Sequence, residues 1–343
     1  MAKKLLAFAG LGLALVVLTV SVIQNRHLLV DPDVPTAGAG FGGGGSPTSR
    51  PAAGDLTLGQ FDLTDLTIPR DEIMRGGPPK DGIPAITDPD VVPVDQADFL
   101  RAGDRVVGVT LNGEARAYPI RLLNWHEVVN DELAGIPFAV VYCPLCDSAS
   151  VFDRRIGDET LEFGVSGLLY HSNVLLYDRT HDALWSQILF AAVSGPYAGQ
   201  ELDHLPWDLT TFAQWKRDHP GSTVATFNTG HMRAYDRNPY EQYFRQDGLM
   251  FPAKGGDDDR LPEKEPVVGV VVGEVARAYP VARVAAAEGG RLVDELGPAQ
   301  VVLEARDGGQ VRVVAKPEGA QTVHTFWFAW VAFHPQTELF EQP

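Results

Sequence analysis

Between Asp104 and Ile120 the chain reads DRVVGVTLNGEARAYPI, two apolar, β-branched runs on either side of Asn112-Gly113. An Asn-Gly pair between such runs is a strong short-range hairpin signal, so two strands are predicted. RLLNWHEVVNDEL (121–133) places Leu122, Leu123, His126, Val129 and Leu133 near one face of a helix. IPFAVVY (136–142) is β-branched and aromatic and fits a buried strand. SASVFDR and TLEFGVSG, joined through Gly157-Asp158, predict a further hairpin, and LTTFAQWKRDHPG (209–221) a helix ended by Pro220 and Gly221. The pattern describes a β-rich α+β fold.

Part of the pattern recurs. VVGVTLNGEARAYP (106–119) and VVGVVVGEVARAYP (267–280) agree at nine of fourteen positions with an offset of 161, and NDELAG (130–135) is echoed by VDELGP (293–298). Two related modules are expected, 56–255 and a degenerate 256–343. The second has EARDGG (304–309) where the first has YCPLC, and AAAEGG (285–290) in the region of His126. Scaffold needs alone would be met in both copies, so residues kept in only one point to a site.

The N-terminus has a different pattern. Leu5 to Ile23 is apolar without a charge, follows Lys3 and Lys4, and is long enough to span a hydrocarbon core of about 30 Å. Residues 1–30 are read as an uncleaved transmembrane anchor with the remainder exported, in preference to a cleaved signal peptide, and residues 31–55, rich in Gly, Pro, Ala and Ser, as a flexible linker. A net charge of −17 argues against nucleic acid as a partner, and the 45% hydrophobic content is ample for a large core. The membrane is the expected partner, through the N-terminal helix; no protein partner is indicated.

Cys143 and Cys146 are the two cysteines of the 343-residue chain. The CPLC pair follows a strand and precedes the alternation of Asp147–Phe152, so the thioredoxin arrangement, with a helix after the pair, does not apply. Strand, CPLC, strand is the form of a metal knuckle, in which backbone N–H groups face the thiolates. A full zinc ribbon needs a second cysteine pair, so a closed site has to recruit histidine or a carboxylate. His126 is the leading third ligand, with Glu127 or His171 as completions; HEVVN lacks the second histidine of a zincin. Two thiolates and an imidazole suit copper or zinc and not Mg or Ca. A C-x-x-C disulfide exchanging electrons is the alternative, and a staple in a non-catalytic binding module the third reading.

Asp178, Arg179, Trp185 and Gln187, close together in YDRTHDALWSQ, are candidate pocket residues, against the plainer reading of a turn with a buried, satisfied tryptophan. TGHMRAYDRNPYEQYF (229–244) is a candidate cleft wall. His181, His204, His219 and His231 read as surface residues and His334 as structural. Hydrolase, nucleotide-triphosphatase and dinucleotide fingerprints are absent from the sequence, and no reaction is assigned.

ARAYPIRLLNWHEVVND, VVYCPLCDSASVFDR, FGVSGLLYHSNVLLYDR, ALWSQ and FWFAWVAFHP, in this order, resemble the DUF3179 family of bacterial and archaeal proteins over roughly residues 80 to 340. The family pattern includes His126, Cys143 and Cys146. It often has Gly after the second cysteine and Asn at the position of His171, where this chain has Asp147 and His171. Its function being unknown, the resemblance implies no reaction.

Overall fold

The protein's structure, a computed structural model, describes residues 57–255 and 258–341, all within one compact unit, Ala52–Pro343. It is β-rich with few, short helices. Among the described residues no helix is long and apolar enough to cross a membrane. The expected anchor and linker lie outside the described residues.

The Asn112-Gly113 hairpin forms as predicted, Arg105–Leu111 against Glu114–Pro119, with positive φ at both turn residues. Trp207–Thr211 pairs outside the first strand; Thr223–Ala225 pairs parallel to the second and carries Val91–Pro93. The helix expected over 209–221 is shorter, Phe212–Asp218, because Thr211 ends the preceding strand and caps the helix, its side chain accepting from Gln214 N–H. Trp215 of that helix lies flat on the hairpin: a Cβ added to Gly108 would stand 2.0 Å from its ring.

The helix expected over 121–133 also stops early, at His126. Glu127 has φ 58 and ψ −33, which no right-handed helix admits. The β-branched Val128 and Val129 then open the strand Val128–Leu133, antiparallel to Ile136–Cys143. Arg155–Ile156 and Glu159–Thr160 form only a two-residue hairpin around Gly157, whereas the long strand Phe163–Tyr170 pairs with Asn173–Asp178 in a different sheet.

The later part of the chain runs Pro266–Val272, Val275–Pro280, helix Val281–Ala286, Arg291–Leu296, Ala299–Arg306, Gln310–Ala315, Gln321–Phe326 and helix Trp327–Phe333. A Cβ on Gly269 would stand 2.1 Å from the Trp330 ring. The early and late strands share one eight-stranded sheet, joined where Ser148–Asp153 meets Gln321–Phe326 at Ala149 and His324. One face of this sheet packs Val128, Ala139, Val141, Cys143 and Phe152 against Leu176, Trp185 and Trp330. The valine, leucine and phenylalanine side chains among them each contribute roughly 1.5–3 kcal/mol by leaving water. The cysteine turn sits at the edge of this core.

Candidate functional site

Ile136–Cys143 and Ser148–Asp153 are adjacent antiparallel strands, and Pro144–Asp147 is the turn between them. Both cysteines are free thiols and are buried, 1% and 0% exposed. Their sulfurs hydrogen-bond each other, and the backbone N–H groups of Cys146, Val174 and Leu145 face the Cys143 sulfur. Burial opposes ionisation of Cys143, but the Cys146 thiol and these N–H donors outweigh it and bring its pKa below the usual thiol value. Burial, and then the hydrogen bond given to Cys143, push Cys146 up. The Ser172 carbonyl oxygen is 3.3 Å from Cys146 Sγ and 3.9 Å from Cys143 Sγ, within reach of a proton carried by either sulfur.

Ser172 belongs to the turn between Phe163–Tyr170 and Asn173–Asp178, where His171 (φ 49) and Ser172 (φ 65) both have positive φ. A two-residue hairpin loop of this kind favours Asn and Gly. Here His171 is held instead: Lys254 N–H donates to its Nδ1 at 3.4 Å, and Nε2 lies 3.3 Å from Glu72 Oε2. His171 is thus held at the turn between Lys254 and Glu72, and burial lowers its pKa below the ordinary histidine value. Beside it, Asn173 Nδ2 donates to Gln187 Oε1 (2.8 Å) and Ser148 Oγ (3.2 Å), and Gln187 Nε2 donates to the Ser148 carbonyl. Ser172 Oγ and Asn173 Oδ1 are buried without a hydrogen-bond partner among the described residues.

His126 does not join the thiols. Its Nδ1 is 2.7 Å from the Pro84 carbonyl, which only accepts, so Nδ1 carries the proton; Nε2 then accepts from Tyr235 O–H, also at 2.7 Å. Burial lowers its pKa to about 4, which keeps the ring neutral. Both nitrogens are engaged, and among the described residues no group of three or more His, Cys, Asp or Glu is arranged around a common ion. The Cys143, Cys146 and His126 set expected from sequence is not gathered into one such group among the described residues. Glu127 does lie near Cys143: its carbonyl accepts from Tyr142 N–H at 2.8 Å, and burial, then the Cys143 charge, raise its pKa well above that of a free glutamate.

The segment between the early and late strands covers the turn with tyrosine hydroxyls. Tyr235 reaches His126, Tyr240 reaches Glu127 at 3.5 Å, and Tyr243 donates to the Leu145 carbonyl at 2.8 Å. Lys264 Nζ holds the Tyr243 and Gln246 carbonyls, 2.7 Å each. A cleft of about 330 Å³ opens where this segment meets the body, lined among others by Asn238, Phe244, Arg105, Tyr142 and Asp147.

Asp147, directly after Cys146, has φ 47. Arg105 grips both of its carboxylate oxygens, Nη1 to Oδ2 at 2.8 Å, and Tyr142 O–H donates to Oδ1 at 2.7 Å. Elsewhere, Arg116 and Tyr118 bind Asp131, and Arg277 and Tyr279 bind Asp294.

The pocket residues separate. Trp185 Nε1 donates to Asp178 Oδ2 at 2.9 Å, and Asp178 also takes the His181 N–H, so these three hold a turn. Arg179 pairs with Asp81 and Glu162. Gln187 joins the thiol surroundings through Ser148 and Asn173, and Trp185 packs in the same buried cluster as both cysteines. Ser172 and Arg105 were missed from sequence: a backbone carbonyl leaves no signature in residue types, and Arg105 lies far from the cysteines along the chain. Tyr240 and Tyr243 fall in the segment 229–244 read as a candidate cleft wall, which contributes Asn238 and Phe244 to the cleft; Asp147, in place of a family glycine, was a further visible signal.

Neither a curated protein nor a solved structure matches the chain. The family model described as "Protein of unknown function (DUF3179)" matches residues 80–324 of the 343, and the chain belongs to that family.

Proposed function

We propose that this is a membrane-anchored, extracytoplasmic protein whose Cys143 and Cys146 hold a soft metal ion, copper(I) or zinc, with the Ser172 carbonyl as third donor in place of the expected histidine. The charge-free run from Leu5 to Ile23 behind Lys3 and Lys4 supports the topology. The observation that carries the metal reading is the spacing of the Ser172 oxygen, 3.3 and 3.9 Å from the two sulfurs. Metal–sulfur bonds of about 2.3 Å and metal–oxygen bonds of about 2.1 Å at a tetrahedral angle put S and O about 3.6 Å apart. Two thiolates select copper(I) or zinc over Mg and Ca, and the N–H groups around Cys143 favour its ionised form. Elemental analysis of the purified full chain after loading tests this. Stoichiometric copper or zinc lost in Cys143→Ser supports it; wild type that takes up neither defeats it.

A thiol–disulfide pair is the second reading, favoured by two free thiols in contact with opposite pKa shifts. Cys143 thiolate would attack a partner disulfide and release one partner thiol; Cys146 would then displace the second, leaving a Cys143–Cys146 disulfide and a reduced partner dithiol. A thiol count by mass spectrometry with a redox titration separates the readings.

We also infer that the segments 105–143 and 266–306 are copies of one module. Support comes from the matching element order and from Arg116–Tyr118–Asp131 and Arg277–Tyr279–Asp294 at equivalent places.

A further inference from the structure

The copied module acts as an internal control for which contacts serve the scaffold. The Arg116, Tyr118 and Asp131 cluster recurs as Arg277, Tyr279 and Asp294, so it belongs to the shared frame. The Arg105, Tyr142 and Asp147 cluster does not recur. At the same offsets, 161 for the first strand and 163 for the later ones, the chain has Pro266, Ala305 and Gln310. The second cluster of this kind thus accompanies the cysteines and is absent where they are absent.

Its position suits that association. Tyr142 immediately precedes Cys143 and Asp147 immediately follows Cys146, so the clamp holds both ends of the turn. Asp147 has φ 47, a left-handed conformation that a side chain with a Cβ adopts at a cost and glycine adopts freely. Arg105 spans both carboxylate oxygens, a two-point grip that fixes orientation as well as charge. Ladder bonding alone would not fix the turn, because Cys143 and Ser148 are its last paired residues. The clamp also lines the cleft beside the turn, at the seam with the covering segment.

We propose that Arg105, acting through Asp147 and Tyr142, is a positioning residue that holds the Cys143–Asp147 turn so that both sulfurs and the Ser172 carbonyl converge on one point. This rests on the metal reading above, and touches the ion only through the residues it holds. Glycine at position 147 takes the same φ without the grip, so it separates conformation from simple loss of an ion pair. Arg116 provides a matched control, being an arginine gripping an aspartate and a tyrosine in the frame.

The test uses the full chain and its R105M, D147A, D147G and R116M variants. Copper(I) and zinc affinities are measured by competition with chromophoric chelators, alongside melting temperatures. R105M and D147A should weaken binding at least tenfold, and D147G should recover most of the loss seen in D147A. R116M should lower the melting temperature and leave the affinity of the folded protein within twofold. Wild-type affinity in R105M and D147A, or an equal loss in R116M, overturns the proposal. If wild type binds neither ion, the metal reading fails on its own, and the clamp is read from the Cys143–Cys146 dithiol–disulfide equilibrium in a dithiothreitol redox buffer. There R105M and D147A should shift the equilibrium constant at least threefold with recovery in D147G; unchanged constants overturn it.

Discussion

Glu127 and Gly290 each stand just before the strand that follows a short helix. Glu127 has φ 58 and Gly290 φ 68. Asn112 and Gly273, and Ala134 and Gly297, are further pairs in which the early part of the chain has a side chain at positive φ and the late part has glycine. After the next strand the late part turns through Gly308 and Gly309, at φ 75 and 72, and the early part through CPLC and Asp147. The late part takes the cheap solution throughout. The early part keeps side chains on strained backbone, and at Glu127 and Asp147 these lie beside the thiols. Backbone strain of this kind costs of order 1–3 kcal/mol and persists where surrounding contacts over-determine it.

The comparison is broken most severely if Gly108, under Trp215, and Gly269, under Trp330, behave differently. Gly108→Ala and Gly269→Ala each drive a methyl into a tryptophan ring, and each is expected to destabilise by about 3 kcal/mol in chemical denaturation. A large effect at one and none at the other would mean that the two hairpins are not equivalent.

Acid tests the joint between the parts. His324 is buried where the late strand meets Ala149, and burial brings its pKa to about 4, with Asp147 and Arg105 as the charges facing it. The unfolded chain binds this proton first, at about pH 6.5. Its contribution is therefore fully present above pH 6.5 and falls by about 1.4 kcal/mol per pH unit down to about pH 4. His324→Gln should flatten the denaturation profile between pH 6.5 and 4 by that slope; an unchanged slope would show that the histidine does not stay neutral.

The smallest effects sharpen the strain argument. Glu127→Gly should raise stability by about 1 kcal/mol, and Gly290→Ala should lower it by about the same, both read from denaturation midpoints. Loss of stability in Glu127→Gly would mean that the carboxyl group contributes more through its contacts than its backbone costs.

Legibility in the sequence followed the range of the interactions. The Asn112-Gly113 hairpin and the Ile136–Cys143 strand are set by neighbouring residues, and their signals were direct. RLLNWHEVVNDEL has an apolar spacing that suits both a helix and a helix followed by a strand, and only the backbone of Glu127 decides between them. The cysteine turn was visible as strand, turn, strand. What faces it was not: His126 is drawn to Tyr235, 109 residues away along the chain, and Ser172 contributes a carbonyl.

The Cys146 carbonyl accepts from Phe326 N–H at 2.8 Å and from Thr325 Oγ1 at 3.2 Å. A fragment ending before Gln321 would leave that carbonyl and the Ser148–Asp153 strand as an open edge, ready to pair with another chain. The late strand Gln321–Phe326 thus acts as a splint for the cysteine turn and the strand that follows it.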